Sequence, residues 1–512
     1  MFGNGPDLAQ RQRTCDTDPA TFAALSEVMR RMRTCSLLVA AILAVSALAQ
    51  GSNTGGPFYP EKLHSDLEVL RDVLHRAHPD PYRYATQAGL DRAFDAVLDS
   101  ITVPLDRQAF LNALMPVFHL VGDAHCYPDL PATQRGRIEQ ELPVIPIKVS
   151  ILNEGLYVEE ELKGFRSLPL GVRILSINGH SAEHILQRLG RMITVDGANT
   201  TLRVRRLEKE FPWLYRRYID ASSSFTVRYQ MTDGSEAEQK VFAMTGEEMA
   251  RTRKPDGAGL NSWRVFWDQD SEALWVTLRT LDLDTLAAAG IRPDRFLAAM
   301  LKDARRNKAR SVVFDLRGAG GRDLAAAELV FASVAKAPFR VVQSMTVRSI
   351  DPALGPLAGL PADHLSMVLD QFVPGPNGVS HLRPDDTRLV PLQPMAKAFQ
   401  GKVYVVCDGM TRDAGAALVM LAKRTGRARV VGEEVGSNAL SFTGGRALTT
   451  VLPHSGIELH VPLMRYVPDG MPSGPMDHGE RPHHEVEQQP WGIAKGRDTI
   501  REALLEMIRE LR

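Results

Sequence analysis

The sequence has few cysteines and no excess of charge of either sign. Only 4 of its 512 residues are cysteine, too few for a disulfide framework, and they lack the paired spacing of a zinc site. The 61 lysine and arginine residues balance 61 aspartate and glutamate residues, so the chain offers no basic excess to neutralise nucleic-acid phosphates. We therefore expect no nucleic-acid partner, no metal and no cofactor. What remains is an enzyme or a binding protein of roughly three domains.

Long apolar runs are also scarce, and the clearest one lies near the start of the chain. Three arginines within residues 30–33 precede an apolar run over 37–48, and residues 47–49 read Ala-Leu-Ala. A charged start, a short apolar centre and an A-x-A site are typical of a secretory signal, so we expect residues 1–49 to be cleaved and the protein to be exported to a periplasmic or extracellular location. The run is shorter than the about 20 residues that span a bilayer, and we expect no membrane span in the mature chain.

The apolar spacing after residue 49 changes twice. Over Pro60 to Val121 it is helical and predicts three amphipathic helices, interpreted as a cap over residues 56–135. Over 140–246 alternation and an Asn-Gly turn predict a small peptide-binding β-module. Strands and helices alternate over 260–490, which indicates an α/β core with a mainly parallel sheet, and 491–512 is expected to form a final helix.

Strand ends within that core indicate where chemistry is expected. Apolar runs predict strands over Ala273–Leu278, Ser311–Asp315 and Lys402–Val406. Working residues of a parallel sheet lie beyond the carboxyl ends of its strands. The loops after Phe314 and Val406 are therefore the predicted location of the site.

Three segments occur in the order found in one known family. They are Gly-Asp-Ala-His at 122–125, Asp-Leu-Arg-Gly-Ala-Gly-Gly at 315–321 and Thr-Arg-Asp-Ala-Gly-Ala at 411–416. They resemble the DGH, DLRGNGGG and TxSAxE segments of the tail-specific protease family, which includes C-terminal processing peptidases and the tricorn core. The resemblance continues through a PDZ-like strand at 174–179 to residues 479–482. It implies a ClpP/crotonase-like α/β core with an N-terminal helical cap and a PDZ-like β-module, and a serine-type peptidase acting on polypeptides.

The resemblance also implies roles for individual residues. His125 matches the histidine that activates the serine in the tricorn-like branch, and histidine is a base near neutral pH. Gly320 and Gly321 match the glycine loop of an oxyanion hole, with the amide of Ala414 as its second donor. Asp477 stands roughly where this branch carries its acid, and we expect it to orient His125.

Asp413 departs from the family, because it stands in place of the nucleophilic serine. A carboxylate at a helix N-terminus is a favourable N-cap, and the same interactions make it a poor nucleophile. Its charge would also repel an oxyanion. Thr411 lies one turn too early to substitute, and Ser437 and Ser441 belong to a later loop. Ser437 or Asn438 also falls where the processing-peptidase branch carries its lysine base, so a Ser-Lys dyad is missing.

The clustered histidines and the cysteines give weaker evidence for a functional site. The spacing of His478, His483, His484 and Glu485 matches no metal geometry. His125 and Cys126 are adjacent, and adjacent residues of an extended strand face opposite ways, which argues against a Cys–His pair. Cys126 and Cys407 form either one disulfide or two buried thiols.

The function that the sequence predicts is that of an exported tail-specific-protease-family protein whose peptide hydrolysis is impaired or lost because Asp413 replaces serine. Two alternatives stay open. One is a non-catalytic protein that binds a peptide or an apolar ligand, because interphotoreceptor retinoid-binding modules are built on the same core. The other is a hydrolase in which Asp413 attacks an alkyl carbon or ester and His125 activates water.

Overall fold

The computed structural model describes residues 56–153, 155–162, 167–252, 262–348, 370–472 and 474–510. The expected signal peptide at 1–49 lies outside these ranges. Residues 57–512 form one compact unit. No described helix is both long enough and apolar enough to cross a membrane.

The three predicted cap helices are confirmed as α1 Pro60–Ala77, α2 Gln87–Ser100 and α3 Arg107–Val121. Their apolar faces do not pack only on one another. Leu448, Leu459 and Val461, from the strands β16 Phe442–Val451 and β17 Glu458–Pro468, belong to the same buried cluster. The cap and this C-terminal hairpin therefore share one core, which fixes the loop that follows α3.

A small antiparallel sheet forms the second layer, as the alternation predicts. Its order is β2-β3-β4-β6-β7, with β5 paired to β4. Its elements are β2 Ile147–Leu152, β3 Gly155–Glu161, β4 Arg173–Ile177, β5 His180–Ser181, β6 Ser224–Gln230, β7 Glu236–Phe242 and the helices α5 Ala182–Gly190 and α6 Thr200–Tyr218. The 19-residue α6 is not predicted from the sequence. Its Phe211 and Tyr215 are fully buried against this sheet. The likeness to PDZ modules stays a prediction.

The predicted α/β core is confirmed, with sheet order β18-β15-β14-β10-β9-β8. All neighbouring strands run parallel except β8 and β9. The elements are β8 Trp263–Asp268, β9 Ala273–Leu278, β10 Ser311–Asp315, β14 Lys402–Cys407, β15 Arg429–Gly432, β18 His484–Glu485, α9 Pro293–Arg306, α10 Ala325–Ala332 and α11 Ala414–Arg424. Asp315 pairs in register with Val406, so the loops after β10 and β14 leave the sheet side by side.

A third sheet, which no local pattern in the sequence predicts, joins the cap to the core. Its order is β1-β17-β11-β13-β12, with β16 paired to β17. Its other strands are β1 Tyr127–Asp129, β11 Val342–Arg348, β12 Phe372–Pro374 and β13 Val379–Leu382, and the remaining helices are α4 Ala132–Gln140, α7 Gly246–Thr252, α8 Leu283–Ala288, α12 Pro490–Lys495 and α13 Thr499–Glu510. Because β1 begins two residues after His125 and pairs with β17, His125 is held between α3 and this sheet. The domain boundaries stay predictions.

Candidate active site

Asp413 lies at a sharp turn between β14 and α11. Its φ of 54° and ψ of −123° place a non-glycine residue in a strained backbone region. The surrounding chain holds this conformation: the Asp413 amide donates to the Ser437 hydroxyl at 2.8 Å, and the Arg412 amide donates to the Ala319 carbonyl at 2.9 Å. A Cβ at Gly415 would lie 2.4 Å from that same carbonyl, so only glycine permits this approach. The turn has the strand-to-helix geometry that presents a nucleophile.

The predicted N-cap role of Asp413 is wrong. Although Asp413 occupies the N-cap position of α11, its side chain accepts no capping hydrogen bond. Its Oδ1 lies 2.8 Å from Nε2 of His125 instead. The positive φ turns the carboxylate away from the first turn of the helix and toward the histidine.

His125 lies in the loop between α3 and β1, and its side chain is 20% exposed. Burial alone would lower the pKa of His125, but the charge of Asp413, followed by that of Asp123, raises it to about 9. Burial would raise the pKa of Asp413, and the charge of His125 outweighs it, so that pKa is lowered. The two residues are therefore an imidazolium–carboxylate ion pair at neutral pH. The N–H of the ring is not well aligned with Oδ1, and the contact is ionic rather than a good hydrogen bond.

The acid nearest the far side of the histidine ring is Asp123, not Asp477. Asp123 Oδ1 lies 3.8 Å from His125 Nδ1, beyond hydrogen-bond distance, and accepts the His125 amide at 2.7 Å. Asp123 also accepts hydrogen bonds from His78 at 3.0 Å and from Thr443. Asp477 is exposed and forms no ion pair with His125 within the described ranges. Its predicted orienting role is wrong. The part of Asp477 that contacts the site region is its main-chain carbonyl, which accepts a hydrogen bond from the Ala198 amide.

Asp196 is a second buried acid of the site, and no motif in the sequence indicates it. Its carboxylate accepts the amides of Ala124 at 2.8 Å and Asn438 at 3.1 Å. Burial, followed by the charge of Asp123, raises its pKa to about 6. One ligand atom from each of Asp123, His125 and Asp196 lies within 4.8 Å of the others, which is the one such grouping among the described residues that could hold a metal ion. Both carboxylates are already engaged as hydrogen-bond acceptors, so we interpret the group as a polar network that anchors the histidine loop.

The glycine loop after β10 lies beside Asp413, as expected for an oxyanion hole. A Cβ on Gly320 would lie 3.5 Å from Asp413 Oδ2. In the described hydrogen-bond network the amides of Gly320 and Gly321 donate to no partner. The Ala414 amide differs from expectation, because it is directed to the Gly321 carbonyl at 3.4 Å. The site thus has open glycine amides with an anion next to them.

The hydroxyls near the elbow are committed to structural contacts. Ser437 accepts the Asp413 amide, Thr411 donates to the Leu316 carbonyl at 2.8 Å, and Ser441 accepts from Arg465 at 2.9 Å. Among the described hydrogen bonds, none of these three hydroxyls bonds to His125. That no hydroxyl substitutes for the missing serine stays a prediction.

The cysteines and the C-terminal histidines lie outside this arrangement. Cys126 and Cys407 are both free and buried, which decides between the two predicted states. Burial raises the pKa of the Cys126 thiol well above its usual value, so it is not a thiolate. His478 contacts Glu434 at 3.1 Å, whereas His483 accepts the Val430 amide at 3.0 Å, so these histidines have separate partners.

The ion pair predicts an unusual titration of His125. Its imidazolium should lose its proton near pH 9 rather than near the ordinary value of about 6.5. Because the folded pKa is the higher one, the ion pair stabilises the fold fully below pH about 6.5, and this contribution is lost as the pH rises through about 9. Asp413→Ala should bring the pKa back to the ordinary range or lower. An NMR titration of the ring tests this, and a wild-type value near 6.5 would contradict the ion pair.

Comparison with known proteins adds a family model and three solved structures. Residues 281–486 match the model of peptidase family S41. Comparison with curated protein sequences finds no match. A point mutant of CPAF is similar with a TM-score of 0.66 at 12% identity, covering 88% of this chain and 98% of that chain. Mature CPAF has a TM-score of 0.60 at 12% identity, covering 87% and 96%, and mature CPAF complexed with lactacystin has 0.60 at 12%, covering 88% and 98%. At this identity the likeness shows the fold alone.

Proposed function

We propose that this chain is an S41 protein that binds polypeptide and has lost peptide-bond hydrolysis, because residues 281–486 match the model of peptidase family S41, the family that the sequence motifs indicate. The observation that carries the proposal is the 2.8 Å ion pair between His125 and Asp413 at the elbow. The resemblance to peptidases is the reason for expecting a polypeptide ligand.

The ion pair removes both partners of the serine mechanism. General-base catalysis needs a neutral imidazole, and Asp413 keeps His125 protonated at neutral pH. The nucleophile must be a good electron donor, and the positive charge of His125 stabilises the carboxylate that would attack. A carboxylate beside Gly320 also places negative charge where an oxyanion would develop. Each of these effects opposes amide hydrolysis.

We expect no peptidase activity from the wild-type protein. Residues 50–512, purified and incubated with fluorescently labelled casein, should release label no faster than buffer. The Asp413→Ala variant should give the same rate, because the side chain contributes no catalysis to lose. Wild-type turnover that disappears in Asp413→Ala would overturn the proposal.

The strained elbow favours a second candidate, a hydrolase that uses Asp413 as its nucleophile. Strain of this kind is retained where surroundings enforce it, often at functional sites. In this reaction Asp413 Oδ2 would displace the leaving group from an alkyl carbon, and water would then hydrolyse the aspartyl ester. Mass spectrometry after turnover in ¹⁸O-labelled water tests it, since label should enter Asp413. Absence of label and of any ester adduct would exclude this candidate.

We also propose that the protein is exported. The support is the arginine-led apolar run and the Ala-Leu-Ala motif at 47–49. Residues 1–55 fused to alkaline phosphatase, which is active only outside the cytoplasm, should give phosphatase activity in a bacterial host. An inactive fusion made in normal amount would contradict export.

A further inference from the structure

A cavity of about 620 Å³ opens beside the elbow. Its lining includes Gly445 and Tyr466, and the neighbouring Gly444 connects it to Asp413: a Cβ on Gly444 would lie 3.8 Å from both Asp413 Oδ1 and the Tyr466 ring. Arg322, which follows the glycine loop, also lines the cavity. The volume lies within the range of pockets that hold small ligands or side chains. The cavity therefore borders the candidate active site.

Two acids of this cavity, Asp323 and Glu328, have no directly paired cation within the described part of the chain, because Arg322 and Arg388 act on them only from beyond ion-pair distance. Among the described residues Glu328 forms no ion pair, and Asp323 accepts only the Ala325 amide, at 3.1 Å. Burial, followed by the charge of Asp323, raises the pKa of Glu328, and burial raises the pKa of Asp323. Burial is the largest cause of both shifts, and the charges of Arg322 and Arg388 offset it only in part.

Both arginines of the lining already form ion pairs with other acids. Arg322 pairs with Asp282 at 2.8 Å and with Asp284 at 2.6 Å. Arg388 pairs with Asp386 at 2.7 Å and donates to Gln371 at 2.7 Å. Counting these pairs, the cavity retains a net negative charge. Arg322 thus adds no net positive charge to the cavity, because two aspartates neutralise it.

Apolar groups complete the wall. Met345, Met464 and the ring of Tyr466 line the cavity, and all three side chains are buried. The Tyr466 residue is 5% exposed, and the described partner of its hydroxyl is the Met464 thioether at 3.5 Å, a weak acceptor. This hydroxyl therefore has no strong hydrogen-bond acceptor among its described contacts at the cavity. Apolar walls with an anionic end match a long aliphatic chain that ends in a cation.

We propose that this cavity binds the side chain of a lysine or arginine residue of a polypeptide lying across the elbow. The inference rests on the proposed polypeptide binding and specifies which residue of the polypeptide is recognised. The aliphatic stem would lie against Met345, Met464 and Tyr466, and its charged end would meet Asp323 and Glu328.

Two acetylated tripeptide amides test the inference, one with lysine at its centre and one with norleucine, which keeps the stem and lacks the charge. Titration calorimetry of residues 50–512 should show the lysine peptide binding at least about tenfold more tightly. Glu328→Gln should reduce this preference to within about threefold and leave norleucine binding unchanged. Glu238→Gln, on the exposed strand β7, is the matched control and should keep the preference.

The outcomes separate the two proposals. Equal binding of both tripeptides by the wild-type protein overturns the cavity inference and leaves polypeptide binding supported. A preference that survives Glu328→Gln and the double variant Asp323→Asn/Glu328→Gln also overturns it. Binding of neither tripeptide overturns the cavity inference as well, and polypeptide binding is then judged separately by titration with unlabelled casein.

Discussion

Replacing Asp413 with serine is expected to convert the chain into a slow peptidase. The elbow positions this side chain against His125, and the Asp123 network anchors the histidine loop. Serine removes the charge that raises the pKa of His125, so the ring becomes neutral and can accept the hydroxyl proton. The glycine loop at Gly320 no longer lies beside a carboxylate, so its unpaired amides become available to an oxyanion. We expect casein turnover at least about 100-fold above that of Asp413→Ala, the factor typical of general-base catalysis.

Controls distinguish a restored mechanism from contamination. Asp413→Ser combined with His125→Ala should lose the gained rate, because the serine then has no base. A fluorophosphonate probe should label Asp413→Ser at residue 413 and leave the wild-type protein unlabelled. If Asp413→Ser folds like the wild type and neither reacts with the probe nor cleaves casein, the inherited geometry is insufficient and the single-residue explanation of lost hydrolysis is wrong.

Removing the Asp123 carboxylate is expected to cause the largest loss of stability. Asp123 is 5% exposed and accepts hydrogen bonds from His78, Thr443 and the His125 amide. Asp123→Ala leaves these buried donors without an acceptor, so we expect the free energy of unfolding to fall by at least about 3 kcal/mol. Urea denaturation monitored by circular dichroism measures it. A loss below about 1 kcal/mol would show that the network is not a principal anchor.

The pH dependence of that loss follows from the same contacts. Burial alone would raise the pKa of Asp123, but the hydrogen bond and charge of His78, with His125 and Thr443, hold it well below its ordinary range. The stabilisation is therefore present above the unfolded pKa of about 3.9 and is lost as pH falls through the folded value. The difference between wild type and Asp123→Ala should shrink in strong acid. Asp477→Ala, at an exposed acid, should stay within about 0.5 kcal/mol of wild type.

The elements that the sequence predicts well are those defined by local spacing. The cap helices have helical apolar spacing and the strands β9, β10 and β14 are short apolar runs, and the structure has all of them. The third sheet escapes prediction because its partners are distant: Tyr127 pairs with His460. Helix α6 escapes because Pro212 and a dense set of arginines interrupt a pattern that tertiary burial of Phe211 and Tyr215 stabilises.

The site shows the same division. The motifs identify His125 and Asp413, which lie far apart in sequence and 2.8 Å apart in space. They do not identify His78, Asp196 or Thr443, because these residues reach the site only through the packing of cap, β-module and hairpin. Position along the chain suggests Asp477 as the orienting acid, whereas in the structure Asp123 is the acid that lies near the far side of the His125 ring. The N-cap expectation for Asp413 fails because helix propensity says nothing about a positive φ at the preceding turn.

The shared core of cap and hairpin has a consequence for synthesis on the ribosome. Helices α1 to α3 leave the ribosome about 340 residues before Leu459, whose strand covers them. At a translation rate of about 5–20 residues per second, the apolar faces of these helices stay uncovered for roughly 20–70 s before β17 is made. During that interval the nascent chain exposes leucines and phenylalanines that are buried in the folded protein. We therefore expect the newly made chain to bind holdase chaperones through residues 60–121 until translation has passed β17.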